Sequence, residues 1–131
     1  MTAPKKEVAE WIKIADEDFA LAQLLLQRNE FLHAAVFNAH QAVEKYLKAV
    51  LVHHGKDIED KFKTHNLFKL SEYVHGVDPR LDKAILPLLD IVDPEYMDAR
   101  YPADLPDLTM REMQEVITAA TQAVALIKTL L

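Results

Sequence analysis

Residues 31–54 read FLHAAVFNAHQAVEKYLKAVLVHH, and this stretch decides the fold class of the chain. Apolar residues recur in it every three or four positions, which is the period of an α-helix and not of a β-strand. The stretch contains neither glycine nor proline, and Gly55 follows it, as glycine often does at a helix C-terminus. We predict a helix from about Phe31 to His54 whose core face is formed by Val36, Ala39, Val43, Leu47, Val50 and Leu51.

The sequence before this stretch predicts another long helix, from about Lys5 to Arg28, with Thr2 as N-cap and Pro4 in the first turn. Its apolar stripe is formed by Val8, Trp11, Ile12, Ala15, Phe19, Ala22 and Leu26. The break at residues 29–30 is short, which makes the two helices antiparallel neighbours, and alanines at positions 34, 35, 39, 42 and 49 allow a close approach. We expect the acidic run of residues 16–18 to face solvent.

A short third helix is expected after a polar loop. Residues 56–63 lack a clear period, which indicates the loop. The pattern then predicts a helix from Asn66 to His75 that buries Leu67, Leu70 and Val74 and ends at Gly76. Thr64 is the candidate for its cap, because threonine favours that position.

Two more helices complete the chain. The fourth begins at Asp78 and Pro79, a capping residue followed by proline, and Pro87 should kink or split it. Its apolar residues are Leu81, Ile85, Leu88, Leu89 and Val92. After an irregular stretch at residues 94–108, Thr109 and Glu112 form a capping box, and the last helix runs to the C-terminus. Its inward residues are Met113, Val116, Ile117, Ala120, Ala123, Val124, Ile127 and Leu131.

The predicted fold is therefore all-α, a single domain over residues 1–131 that forms an antiparallel up-and-down bundle of four to five helices. A net charge of −6 argues against general DNA or RNA coating, which needs a basic excess. The chain has no cysteine, no apolar signal sequence and no run long enough to span a membrane. We expect a cytoplasmic protein without disulfides or thiolate metal sites.

Three short segments go beyond the periodic pattern of a helical bundle. They are AHQAVEKYLKA at residues 39–49, THNL at residues 64–67 and ARYP at residues 99–102. In this order they resemble the HEPN (higher eukaryotes and prokaryotes nucleotide-binding) domain family. The resemblance covers nearly the whole chain and implies a bundle of antiparallel helices, commonly dimeric. Many prokaryotic members are encoded beside a minimal nucleotidyltransferase, several branches are ribonucleases, and some act as the toxin of a toxin–antitoxin pair.

One stripe of the second helix carries candidate ligand-binding residues. Gln41, Glu44 and Lys48 lie on it together with Phe37, whereas Lys45 lies further round toward solvent. The stripe is either a helix flank with a Glu44–Lys48 ion pair or a polar ledge that contacts a ligand or another chain.

The other candidates lie outside this helix. His65 either belongs to the cap of the third helix or lies near the ledge. Arg100 suits an ion pair with a carboxylate such as Glu44, or an anion such as a nucleotide phosphate. Tyr101 suits stacking on a base or packing against the core. The ligand-binding candidates are thus Gln41, Glu44, Lys48, His65, Arg100 and Tyr101.

The chain lacks the ribonuclease motif that the resemblance implies. Ribonuclease members carry an arginine followed, after four to six residues, by a histidine near the start of the last helix, and here no histidine follows His75. Arg28 and His33 have a matching spacing, but in a different part of the fold, and so short a pattern arises by chance. The adjacent His53 and His54 point about 100° apart on a helix, which does not suit joint metal ligation. We predict no catalytic residue, metal site or cofactor.

Our leading interpretation is a non-catalytic binding module that forms a homodimer. It would bind a nucleotide, dock a separately encoded nucleotidyltransferase, or do both, within a toxin–antitoxin-like pair. One alternative is a divergent ribonuclease toxin, in which Arg100 acts with His65 or His40. The other is a purely structural dimerisation module whose polar ledge docks the partner.

Overall fold

The computed structural model describes residues 5–59, 61–94, 97 and 105–131. Five α-helices follow one another in these ranges: α1 (Lys5–Arg28), α2 (Leu32–His53), α3 (Leu67–Val77), α4 (Ile85–Val92) and α5 (Met110–Lys128). The all-helical class is confirmed, and α1 and α2 agree with the predicted bounds to within one residue. None of the described helices is long and apolar enough to cross a membrane. The predicted roles of Thr2, Pro4, Arg100 and Tyr101 fall outside the described residues.

α2 is the central helix of the bundle. Fourteen of its 22 residues are buried, compared with two of the 24 residues of α1. It packs against α1, α5, α3 and α4. Every residue of its predicted core face is fully buried, as are four of the five alanines, whereas Ala34 is exposed. The small side chains allow the neighbouring helices to approach α2 closely, as predicted.

The link between α1 and α2 uses two residues in the left-handed conformation. Asn29 has φ 54°, and the amides of Asn29 and Glu30 donate to the carbonyls of Leu26 and Leu25, which satisfies the end of α1. Phe31 has φ 52° and precedes α2 without a side-chain cap. The short break therefore reverses the chain and makes α1 and α2 antiparallel.

The beginning and end of α3 differ from the prediction. Asn66 is the N-cap, since its side chain accepts a hydrogen bond from the Lys69 amide. The prediction for Thr64 is wrong, because Thr64 lies two residues before the cap and its hydroxyl accepts from the Asn66 amide instead. Gly76 does not end the helix, which continues through Val77.

α4 is shorter than predicted. It begins at Ile85, and residues 79–84 form turns instead of the first part of a helix. Pro87 therefore lies in the first turn of α4, where an amide needs no partner within the helix, and it does not split α4.

α5 begins with the predicted capping box between Thr109 and Glu112. Its predicted inward residues are buried except Leu131, which is exposed while Leu130 is buried. The helical period no longer applies there, because α5 ends at Lys128. The loop before α3 also contributes to the core, through Ile58 and Phe62, although its sequence has no period that would predict this.

Two members of the acidic run on α1 form hydrogen bonds with side chains of α2. The Tyr46 hydroxyl of α2 donates to Asp16, and Lys45 donates to Asp18. Burial, together with this bond and the negative charge of Asp16, raises the pKa of Tyr46 well above its usual range. Asp16 and Glu17 are exposed, as expected, whereas Asp18 is half-buried, and the bonds of Asp16 and Asp18 connect α1 to α2.

Asp78 connects the end of α2 to the turn that precedes α4. Its buried carboxylate accepts hydrogen bonds from Arg80 Nε (2.9 Å) and Nη2 (2.7 Å) and lies 3.2 Å from His54 Nε2. The bonds from Arg80, and then that from His54, hold the pKa of Asp78 well below its usual range. This carboxylate forms tertiary contacts and does not start a helix, contrary to the sequence prediction.

We expect Asp78→Asn to lower the free energy of unfolding by about 1–3 kcal/mol at pH 7. Because the pKa of Asp78 is lower in the folded chain than in the unfolded chain, its contribution is present above the unfolded-state pKa and is lost as the pH falls below it. The difference between wild type and variant should therefore shrink from about pH 5 to pH 2 in urea unfolding. Asp90→Asn, on the exposed side of α4, is the control. A difference that does not change with pH would contradict this role of Asp78.

Candidate functional site

A cleft of about 520 Å³ opens beside α2. Its walls are formed by α2, by the turn at residues 64–66 before α3, and by the chain that follows α4. The volume lies within the range of roughly 300–1,000 Å³ that is usual for small-molecule sites. The lining residues are Phe37, His40, Gln41, Thr64, His65, Asn66, Asp93 and Met97. Two of the three segments that carry the resemblance thus contribute to one cleft.

Glu44 and Lys48 form a buried ion pair behind the cleft. Glu44 is 3% exposed and Lys48 is 5% exposed, and Lys48 Nζ donates to Glu44 Oε2 over 3.1 Å. The Lys48 ammonium also lies 5.9 Å from the centre of the Trp11 ring on α1, close enough for a cation–π interaction. Buried charges need such partners, because each is otherwise costly to remove from water.

Glu44 also holds His65. His65 Nδ1 donates to Glu44 Oε1 over 2.9 Å, although the His65 side chain is 76% exposed. An ionised carboxylate only accepts hydrogen bonds, so the proton is on Nδ1 and Nε2 remains available to a ligand. A buried pair on α2 therefore sets both the tautomer and the orientation of a histidine in the cleft wall.

The structure divides the predicted polar ledge into two parts. Phe37 is exposed and Gln41 half-buried, and both line the cleft. The predicted Glu44–Lys48 pair is present, but it lies inside the bundle and does not project into solvent. Lys48 therefore contacts Glu44, and Glu44 in turn orients His65. Lys45, which was expected further toward solvent, is half-buried and pairs with Asp18.

A second histidine–carboxylate pair lies in the same cleft. His40 is 4% exposed, and its Nε2 lies 3.1 Å from Asp93 Oδ1, just after α4. Within the described residues, His40 Nδ1 has no hydrogen-bond partner. The sequence indicates His40 only as an alternative partner of Arg100, and no signal in it indicates Asp93. Asp93 is 53 positions away in sequence, and no local pattern links the two residues.

The described wall of the cleft carries no lysine or arginine, and Asp93 is its acidic residue. An anionic group would therefore need a cation from elsewhere. In the described part of the chain no group of three or more metal-ligating side chains occurs. His54 binds Asp78, and its ring lies edge-on to that of His53. His33 Nε2 lies 2.8 Å from the carbonyl oxygen of Pro106, a contact that joins the start of α2 to the segment before α5.

We expect Lys48→Met to lower the free energy of unfolding by about 3–5 kcal/mol, because it leaves the buried Glu44 carboxylate without its cation. The double variant Glu44→Gln/Lys48→Met should recover a large part of this loss, since no unpaired charge remains. His65→Ala should change stability by less than about 1 kcal/mol, because the histidine is largely exposed. Urea unfolding of the three variants measures these differences. Equal losses in the single and double variants would contradict a coupled buried pair.

Solved structures share this fold. TT1696 from Thermus thermophilus superposes with a TM-score of 0.78 at 22% identity, covering 95% of this chain and 98% of that chain. ST0689, an archaeal HEPN homologue, gives a TM-score of 0.65 at 24% identity, covering 93% and 95% of the two chains. At such low identities the similarity concerns the fold alone. No curated protein matches the sequence.

The family comparison covers nearly the whole sequence. The model of the HEPN domain matches residues 8–130, from the first turns of α1 to the end of the chain. The match includes the α2 segment and the turn before α3 that form the cleft. With its five-helix architecture, the chain belongs to the HEPN domain family.

Proposed function

We propose that this HEPN domain is a non-catalytic module that binds a nucleotide in the cleft beside α2. The observation that carries the proposal is the cleft itself, in which Phe37, Gln41 and His65 line one space of about 520 Å³. An aromatic ring, an amide and an oriented histidine are the groups that recognise a base and its sugar. The resemblance of the segments at residues 39–49 and 64–67 supports the same location.

Phe37 and Gln41 suit the recognition of a base. The exposed Phe37 ring offers a surface on which any base can stack. Gln41 lines the cleft, and its side-chain amide offers both hydrogen-bond donors and an acceptor. An amide pairs with the adjacent donor and acceptor of an adenine edge, which makes adenine nucleotides the first ligands to test.

The His65 imidazole is suited to a hydrogen bond with a hydroxyl or a base nitrogen of the nucleotide. Its Nε2 is left available by the bond between Nδ1 and Glu44. In this proposal Glu44 and Lys48 do not contact the ligand but hold His65 in place. Their burial supports this role, since neither charge extends into the cleft.

The phosphates would be bound by Arg100. In the sequence it follows Met97, a lining residue of the cleft, by three positions. A guanidinium suits phosphate oxygens geometrically, and the described wall provides no other cation. Tyr101 would stack on the base or pack against the core.

The proposal includes a homodimer and a protein partner. A separately encoded nucleotidyltransferase would dock where the cleft presents the nucleotide, within a toxin–antitoxin-like pair. Family membership supports both features, and the opening of the cleft on the surface of the bundle supports a docked partner. If the module only docks its partner, Gln41→Ala would weaken the complex while no nucleotide binds.

One observation favours a second candidate, a divergent ribonuclease. A histidine whose Nδ1 donates to a carboxylate is arranged as a general base, with Nε2 toward the substrate. His40 and Asp93 form a second histidine–carboxylate pair in the same cleft, although there the contact is made by Nε2 of the histidine. RNA cleavage by 2′-hydroxyl attack needs one group to accept a proton and another to donate one.

We expect the wild-type chain to bind Mg-ATP saturably in isothermal titration calorimetry. Gln41→Ala and Arg100→Ala should each weaken the affinity by about tenfold or more, because each removes a side chain that forms hydrogen bonds with the ligand. Gln23→Ala, on the exposed surface of α1, should bind like the wild type. Absence of saturable binding by the wild type would refute the nucleotide proposal.

We also expect no cleavage of single-stranded RNA by the purified chain, and no growth arrest when it is expressed. Gel analysis of RNA after incubation measures the first, and culture density the second. RNA cleavage that His65→Ala abolishes, or growth arrest that Arg100→Ala relieves, would overturn the proposal of a binding module in favour of the ribonuclease. Lys63→Ala, in the exposed loop before α3, is the control for both assays.

A further inference from the structure

The described wall of the cleft contains one carboxylate, that of Asp93, and the contacts proposed above give it no part in nucleotide binding. Its side chain is 22% exposed, so it is neither sealed inside the bundle nor free in solvent. A carboxylate that faced the phosphate oxygens of a nucleotide would repel them and weaken binding. A nucleotide in this cleft would therefore place an uncharged part beside Asp93.

Asp93 is held by both its backbone and its side chain. It follows the last residue of α4, and its amide donates to the carbonyl of Leu89 over 2.9 Å. The Nε2 atom of His40 lies 3.1 Å from Asp93 Oδ1, and because an ionised carboxylate only accepts hydrogen bonds, Nε2 carries the shared proton. His40 is 4% exposed, so a buried ring of α2 orients this carboxylate. A group that is already oriented loses little freedom when a ligand binds.

The Asp93 carboxylate can accept more than the hydrogen bond from His40. A carboxylate has two oxygens with about four lone-pair sites, and His40 occupies one of these sites. Further partners must be hydrogen-bond donors, which in a nucleotide are the ribose hydroxyls and the N–H groups of the base. In the proposed function Phe37 and Gln41 recognise the base. The ribose is therefore the part of the ligand that suits Asp93.

We propose that Asp93 accepts a hydrogen bond from the ribose 2′-hydroxyl, so that the cleft selects ribonucleotides over deoxyribonucleotides. A carboxylate binds the same hydroxyl in dinucleotide-binding folds. A 2′-deoxy ligand would leave the half-buried carboxylate without this donor, and sites built to bind a hydroxyl reject analogues that lack it. The inference rests on the proposed function and adds the sugar class of its ligand.

The first test compares the wild-type chain with two ligands that differ only at this hydroxyl. ATP and 2′-deoxy-ATP, each with Mg²⁺, are titrated separately in isothermal titration calorimetry. Their bases and phosphates are identical, so a difference in affinity reports the 2′-hydroxyl. ATP should bind about tenfold tighter or more, because a hydrogen bond to a charged acceptor is stronger than one between neutral groups.

The second test removes the charge of Asp93 and keeps its shape. In Asp93→Asn the amide oxygen can still accept from His40, so the position of the side chain is retained. The affinity for ATP should fall about tenfold, whereas that for 2′-deoxy-ATP should change by less than about threefold. Asp90→Asn, on the exposed side of α4, removes the same charge outside the cleft and should behave like the wild type.

The outcomes separate the sugar assignment from the nucleotide proposal itself. Equal binding of ATP and 2′-deoxy-ATP by the wild type would overturn the role of Asp93 and leave nucleotide binding intact. Equal loss of both ligands in Asp93→Asn would also overturn it, because a structural role or a contact with the base predicts that result. Binding of neither ligand by the wild type would refute the nucleotide proposal and this inference together.

Discussion

The ion pair between Glu44 and Lys48 is the constraint on which the candidate site depends. Removing a carboxylate and an ammonium from water costs several kcal/mol for each ion, and their mutual attraction offsets this only with good geometry and further hydrogen bonds. Here the second oxygen of Glu44 accepts from His65, and the Lys48 ammonium lies against the Trp11 ring. The pair thereby connects α1, α2 and the turn before α3. A hydrophobic pair of equal volume would pack as well but would not orient a histidine.

The cleft brings together, around α2, segments that are distant from one another in the sequence. α2 supplies Phe37, His40 and Gln41, while His65 and Asp93 arrive from the turn before α3 and from the chain after α4. Asp78 helps to place these parts, because it binds His54 just after α2 and Arg80 in the turn that precedes α4. These bonds connect the end of α2 to the segment that leads into α4, the helix that Asp93 follows.

The described lining of the cleft between α2 and the turns is mainly polar. The HEPN fold supports more than one function, so membership of the family leaves the choice to the side chains of each site. In this chain those side chains are amide, imidazole and carboxylate groups, which suit recognition of a base, and an oriented histidine, which also suits proton transfer.

The sequence by itself determined the helices and part of the candidate site. α1, α2 and α5 were predictable because their signals are local: apolar periods, the capping box at Thr109, and Gly55, which has φ 81° at the end of α2. Spacing on one helix predicted the Glu44–Lys48 pair. The resemblance, together with that spacing, indicated Gln41 and His65 as candidates. Only the tertiary structure decided that this pair is buried, that Asp93 meets His40, and that Asp78 binds Arg80 and His54 instead of starting a helix. The physical reason is that burial and long-range hydrogen bonds depend on which elements pack together, and residues 53 positions apart share no periodic pattern.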